Sequence, residues 1–179
     1  MHDLYNFVTG PLAWAAFIVF ISGSLYRLIN MLYLVNKKEK FIYTYMSLKY
    51  SFRSIFHWII PFATLGWKRH PVLTIVTFAF HLCLIITPVF LLSHAILWDE
   101  SWNINLWTLP DGVADIMTLI VVGSCIFFLT RRLVSPEVQY VTSASDYAIL
   151  AIVALPFITG FIAYHQWFNY PFFMILHII

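Results

Sequence analysis

Histidine is the residue type in this chain that is best placed to do chemistry in an apolar environment. His81 and His94 lie thirteen residues apart in one long apolar stretch, and His177 lies in another. An ionisable side chain in hydrocarbon needs a partner, and a neutral imidazole can find one by binding haem iron through one ring nitrogen. Histidines at two depths would then mark two haems, which is what electron transfer across a membrane requires. The alternative for each histidine is a hydrogen bond to a neighbouring helix.

Other reactive residue types lack the spacing that their chemistry needs. Cys83 and Cys125 are isolated, without the spacing of a c-type haem attachment or an iron–sulfur cluster, so neither group is predicted. The sequence also lacks a zinc-protease motif, a glycine-rich phosphate loop and a serine nucleophile elbow. The chemistry of this chain therefore has to come from its histidines.

Composition and apolar patterning place these histidines in a membrane protein. Hydrophobic residues make up 61% of the chain and charged residues 10%, a balance typical of a protein whose solvent is mostly lipid. The apolar stretches predict membrane crossings at about 8–34, 72–98, 112–130 and 147–167, each long enough to span about 30 Å of hydrocarbon. A fifth stretch, 171–179, is too short to cross and is typical of the start of another helix. We therefore predict an all-α integral membrane bundle with four complete transmembrane helices and the start of a fifth.

The positive charges predict the orientation of the bundle. Of the ten lysine and arginine residues, seven lie between the first and second apolar stretches, two lie just after the third, and Arg27 lies near the end of the first. The positive-inside rule puts both neighbourhoods in the cytoplasm and the N-terminus outside, with Asp99, Glu100, Asp111 and Asp115 on the outer face. The net charge of +2 reflects this bias between the two faces, so nucleic-acid binding is not predicted.

Residues 36–70 form a basic and aromatic segment between the first two crossings. Such a composition suits the plane of the membrane interface, and we expect an amphipathic helix broken at Pro61 and at Gly66. The segment would also offer a cytoplasmic subunit a docking surface. Before the fourth crossing, Ser145 or Asp146 is placed to cap the helix.

Four stretches along the chain carry a family resemblance. They are GSLYR at 23–27, FH at 80–81, RRLVSPEV at 131–138 and the entry to the fourth crossing at 142–150. Together they resemble the cytochrome b gamma subunit of respiratory nitrate reductase, over nearly the whole chain. The R-R-L-x-S-P stretch is the most specific part.

Three more stretches narrow the resemblance: PFAT at 61–64, FLLSH at 90–94 and FIAYH at 161–165. They are similar to the gamma-like subunits in membrane complexes of sulfate-reducing bacteria, such as the high-molecular-weight cytochrome complex. That family implies anaerobic respiration in the cytoplasmic membrane of a bacterium or an archaeon. It also implies a cytoplasmic iron–sulfur subunit and a periplasmic multihaem cytochrome as partners.

The resemblance further implies two b haems between the second and fifth helices. His94 and His177 match the ligands of the outer haem, and the predicted topology places both at the same outer depth. His81 matches one ligand of the inner haem. The other inner ligand would follow about five turns after His177, so we expect the natural chain to continue past Ile179. The alternative is a single-haem variant in which His81 is free. A menaquinone or menaquinol would exchange electrons at the outer haem, and the iron–sulfur partner at the inner one, in a direction that the ligands do not encode.

Two questions stay open at the level of sequence. His165 could accept a proton from quinol beside the outer haem, compete with His177 for iron, or end its helix at the interface. The whole chain could instead be a cofactor-free membrane anchor for a cytoplasmic redox enzyme, or a proton relay through its histidines. Haem content separates the electron-transfer function from both alternatives.

Overall fold

The computed structural model describes residues 6–178, which are helical except for the loop 103–110 and short connections between helices. Helices account for 83% of the structure, and the described residues include no β-strand, which confirms the all-α prediction. A π-helical turn, Val8–Leu12, precedes the first α-helix. The α-helices in chain order are α1 Ala13–Lys38, α2 Ile42–Tyr45, α3 Leu48–Ile59, α4 Leu65–Arg69, α5 Pro71–Phe90, α6 Leu92–Trp102, α7 Asp111–Val134, α8 Pro136–Gln139, α9 Ala144–His165 and α10 Tyr170–Ile178.

Four helical segments are long and apolar enough to cross a membrane. They are Gly10–Lys38, Pro71–Phe90, Asp111–Val134 and Ala144–His165. This confirms the prediction of four complete crossings. The predicted fifth apolar stretch is helical as far as Ile178, in α10. The chain is therefore a multi-pass protein of a lipid bilayer. Ile179, the end of the predicted fifth stretch, lies outside the described residues.

The contacts divide the chain into two units, of which the first reaches from the N-terminus to Ala63. Its long helix α1 contains no buried residue, so its apolar side chains are available to lipid. The amphipathic helix α3 ends at Ile59, just before Pro61, as the sequence predicted. The second predicted break, at Gly66, is wrong because Gly66 lies inside the short helix α4 of the second unit; a helical glycine costs only about 1 kcal/mol.

The second unit, Thr64–His177, is built around α7, which packs against α5 on one side and α9 on another. Small side chains on α7 recur at Ala114, Thr118, Val121 and Cys125 and are all buried. In lipid, small residues favour helix association because they let the backbones approach closely. The core cluster joins Val121 and Cys125 of α7 to Phe80 and Cys83 of α5, with partly buried side chains of α9 packed against it.

The second predicted crossing, 72–98, is interrupted. Helix α5 ends at Phe90, Leu91 is extended with a ψ of 134°, and α6 begins at Leu92. Pro88 lies in the last turn of α5 and has no N–H to donate, which weakens the helix near the break. The freed carbonyl of Phe90 accepts a 2.9 Å hydrogen bond from the N–H of Leu109. In a straight helix, His81 and His94 would point in directions about 140° apart around the helix axis. Because the helix is broken between them, this angle does not apply.

Helix α9 begins with a capping box. Ser143 is the N-cap residue, and its backbone N–H donates to Oδ2 of Asp146 at 2.7 Å. The predicted cap at Ser145 or Asp146 is therefore corrected: Ser143 caps the helix, and Asp146 is the reciprocal partner in its first turn. The signature S-x-x-D is the acidic form of the capping box.

Candidate functional site

The structure brings two of the predicted site histidines together. His94, in the first turn of α6, and His177, near the end of α10, have ring centres 6.0 Å apart and ring planes only 9° from parallel. Both side chains are partly buried. Two nearly parallel imidazoles at this separation are therefore a geometry that one metal centre could use.

This separation can be compared with what two axial ligands require. A metal–imidazole nitrogen bond is about 2 Å long, and the ring centre lies about 1 Å further, so two imidazoles on opposite sides of one metal have centres about 6 Å apart. The observed 6.0 Å matches that value. Within residues 6–178, no group of three or more His, Cys, Asp or Glu side chains could hold a metal ion, whereas haem needs only two protein ligands.

The helix break holds His94 in place. Because α5 ends at Phe90, the carbonyl of Pro88 lies among those without an intrahelical donor. Nδ1 of His94 lies 2.8 Å from this carbonyl oxygen, and since a carbonyl can only accept, Nδ1 carries the proton and donates it. Nε2 of the neutral ring then keeps its lone pair. Metal-binding histidines are oriented by this kind of hydrogen bond.

Helix α9 makes room for His177. A β-carbon on Gly160 would lie 2.8 Å from Cε1 of His177, so only glycine allows the ring to approach α9 this closely. Oγ1 of Thr159 lies 3.4 Å from Nδ1 of the same ring. Since the Thr159 hydroxyl donates to the carbonyl of Leu155 at 2.8 Å, its oxygen can accept from Nδ1.

Thr87 supplies a further sign that a group could bind at this end of α5. Its side chain is only 3% exposed, and its Oγ1 is the one buried side-chain polar atom in the described residues without a hydrogen-bond partner. Such an atom carries a cost of about 1–3 kcal/mol unless something pairs with it. The next residue, Pro88, holds His94. The two imidazoles would supply the two protein ligands that a haem needs, and the Thr87 hydroxyl would be a polar group for it to pair with.

His81 is not part of the His94–His177 pair. It is exposed on α5, its Nδ1 donates to the carbonyl of Thr77 at 2.7 Å, and its ring lies edge-on to Phe80. The hydrogen bond leaves Nε2 unprotonated in the neutral ring, as a ligand requires. Within residues 6–178, His81 contacts no other histidine.

His165 contacts a carboxylate instead of a second histidine. It is the last residue of α9, and its Nε2 lies 3.2 Å from Oδ1 of Asp115 on α7. Sequence analysis placed Asp115 on the outer face but did not foresee the pair, because fifty residues separate its members and no local pattern links them. Gly160 and Thr87 were not predicted from the sequence as site residues either.

The opposite end of the second unit carries a basic hollow. It has a volume of about 500 Å³ and lies where α5 begins and α7 ends. The ion pair of the described residues joins His165 and Asp115, away from the hollow, so no carboxylate of these residues pairs with the arginines of the hollow. Its lining includes Arg69, His70, Phe127, Thr130, Arg131 and Ser135.

Four apolar crossing helices and a histidine pair beside a broken helix define a multi-pass helical membrane protein. Comparison with known proteins finds no matching family model and no matching solved structure. A protein of Nitratidesulfovibrio vulgaris (strain Hildenborough), described only as "Protein", is 32% identical over 180 residues, which cover 98% of this chain and 80% of that protein. The chain belongs to the same family as this Nitratidesulfovibrio protein.

Proposed function

We propose that this chain is the haem b subunit of a respiratory membrane complex and passes electrons between the quinone pool and partner subunits. The observation that carries the proposal is the His94–His177 pair, with ring centres 6.0 Å apart and planes 9° from parallel. These residues lie 83 positions apart in the sequence and meet at one end of a bundle of membrane helices. The separation of the two ring centres is close to what two imidazoles that hold one haem would need.

The chain's own residues would hold and tune the outer haem. A bound haem iron takes up and releases single electrons. His94 and His177 would be its axial ligands, and the hydrogen bond from His94 to the Pro88 carbonyl would fix the ring and raise the basicity of Nε2. Gly160 would leave the space that His177 needs.

His81 would be a ligand of a second, inner haem. Its Nδ1 hydrogen bond to the Thr77 carbonyl presents Nε2 in the same way as in His94. The opposite ligand would come from outside the described residues. Two haems at two depths would then carry electrons between the faces of the membrane.

The two ends of the bundle would serve different partners. A menaquinone-type quinone would exchange electrons at the outer haem, near the loop 103–110. The basic hollow with Arg69 and Arg131 marks the opposite end, where the positive-inside rule predicts the cytoplasm and where an iron–sulfur subunit would dock. A periplasmic multihaem cytochrome would be a further partner on the outer side. The complex would lie in the cytoplasmic membrane of a bacterium or an archaeon.

Haem content tests the proposal. The complete membrane complex would be purified, its reduced-minus-oxidised spectrum recorded, and its extracted haem counted per copy of this chain. Two non-covalent b haems are expected. A complex without haem would refute the proposal and favour a membrane anchor or a proton relay.

Histidine variants test the assignment of the ligands. We expect His94→Ala and His177→Ala each to remove the same haem, and His81→Ala to remove the other. His57→Ala, at an exposed histidine of α3, is the matched control and should keep both. Full haem content in His94→Ala or His177→Ala would show that the pairing is wrong.

A further inference from the structure

An imidazole and a carboxylate are paired where α9 ends and α7 begins. Nε2 of His165 and Oδ1 of Asp115 are 3.2 Å apart, and the two side chains are 27% and 30% exposed. Because a carboxylate oxygen can only accept, Nε2 carries a proton, and Nδ1 of the neutral ring keeps the lone pair. Within residues 6–178, Nδ1 of His165 has no hydrogen-bond partner, so it is free to take a proton from a ligand.

Aromatic rings surround this imidazole. The ring centre of Phe161 is 4.4 Å from that of His165, and the ring of Trp167 lies at 5.3 Å with planes 29° apart. Tyr164 contributes an edge-on contact at 5.3 Å. Trp167 is 61% exposed, so its ring is accessible to a ligand that arrives from the lipid or from the membrane interface. A flat aromatic ligand with a hydroxyl group matches both the rings and the free nitrogen.

The pair also lies close in depth to the proposed outer haem. Gly160 of α9 is the residue that meets the ring of His177. His165 follows five residues later on the same helix, which is about 7.5 Å along the axis. His165 reaches toward α7 and Gly160 toward α10, so a ligand at this end of α9 would find a proton acceptor and an electron acceptor on neighbouring helices.

We propose that His165 is the proton acceptor for a hydroquinone at this end of the bundle and that Asp115 is its positioning residue. The inference rests on the proposed function, which supplies the electron acceptor. Asp115 would hold the tautomer with a free Nδ1 and stabilise the imidazolium that forms, as carboxylates do beside general-base histidines.

Oxidation of one hydroquinone would break two O–H bonds and release two electrons, one at a time. His94 and His177 would hold the group that accepts each electron, and the first electron would pass on to the partner subunits before the second arrives. The first proton bonds to Nδ1 of His165 and is then released to water on that face. Its release restores the neutral ring for the second proton, and the quinone leaves. In the reverse direction the same groups would deliver two protons.

The test uses the complete membrane complex with its haems, and a short-chain naphthohydroquinone as the substrate. Removing a general base lowers turnover by about 100-fold or more, which is the loss expected for His165→Ala. Millimolar imidazole should restore part of that rate, because a free base can occupy the space left by the ring. Asp115→Asn should lower turnover by about tenfold, with a smaller change in the KM for the hydroquinone.

Haem content and haem midpoint potentials separate this role from a structural one. Both should stay close to wild type in the two variants. Glu100→Gln, at another exposed carboxylate on the predicted outer face, is the matched control and should turn over normally.

Two results would overturn the inference while leaving the proposed function intact: normal turnover of His165→Ala, or a loss of turnover that imidazole does not relieve. A wild-type complex that lacks haem, or does not oxidise the hydroquinone, would instead refute the proposed function, and the inference with it.

Discussion

Gly160 and His177 lie so close that a single methyl group would not fit between them: a β-carbon on Gly160 would be 2.8 Å from Cε1 and 3.1 Å from Nδ1 of the imidazole. The ring belongs to a short helix, α10. The space at Gly160 therefore decides where His177 can sit relative to His94.

We expect Gly160→Ala to displace His177 and to release the outer haem or shift its midpoint potential. Overpacking of this kind costs about 1–3 kcal/mol, enough to weaken binding severalfold to a hundredfold. Haem counted per chain and a redox titration measure the effect. Gly123→Ala is the matched control, because a β-carbon there meets no atom within 4 Å. Equal haem content in the two variants would show that the close approach has no role in haem binding.

Substitution of Thr87 should have opposite effects on the stability of the haem-free protein and on the retention of haem. Since its buried Oγ1 has no partner among the described residues, we expect Thr87→Val to stabilise the haem-free protein by about 1 kcal/mol. If the hydroxyl pairs with a bound haem, the same change should weaken haem retention. Thr87→Ser keeps the hydroxyl and should behave like wild type in retention. Unfolding midpoints with and without haem provide the measurement, and a Thr87→Val protein that retains haem as well as wild type would contradict a role for the hydroxyl.

The helices could be predicted from the sequence, but the contacts between them could not. Long apolar stretches predict crossings because an unsatisfied backbone in lipid is too costly, and all four were found. The break after Phe90, and the free carbonyl of Pro88 that orients His94, were not predicted. The partners Asp115 and Gly160 were not predictable, because each meets its histidine across two helices, and apolar patterning does not specify which faces of two helices meet.

The capping box at the start of α9 should contribute measurable stability. Replacing an N-cap serine costs about 0.5–2 kcal/mol, and here Ser143→Ala would also remove a hydroxyl that donates to Asp146 at 2.7 Å. We expect a lower unfolding midpoint in detergent, followed by circular dichroism, with haem content unchanged. Ser47→Ala is the matched control, since Ser47 is the N-cap residue of α3 but makes no side-chain capping bond. Equal losses in the two variants would mean that the capping bonds of Ser143 add nothing.

The orientation predicted from the positive charges can be tested with single cysteines in two loops of the second unit. Asn105 is exposed in the loop before α7, and Tyr140, at 93% exposure, follows α8 beyond the other end of α7. The native Cys83 and Cys125 are each 5% exposed, so they should contribute little background. We expect a membrane-impermeant maleimide to label Asn105→Cys in intact cells, and Tyr140→Cys only after permeabilisation, because Arg131 and Arg132 should hold that end of α7 in the cytoplasm. If Tyr140→Cys were labelled in intact cells and Asn105→Cys only after permeabilisation, the bundle would have the inverse orientation. The His94–His177 pair and the His165–Asp115 pair would then face the cytoplasm, and protons from a hydroquinone would be released there instead of outside.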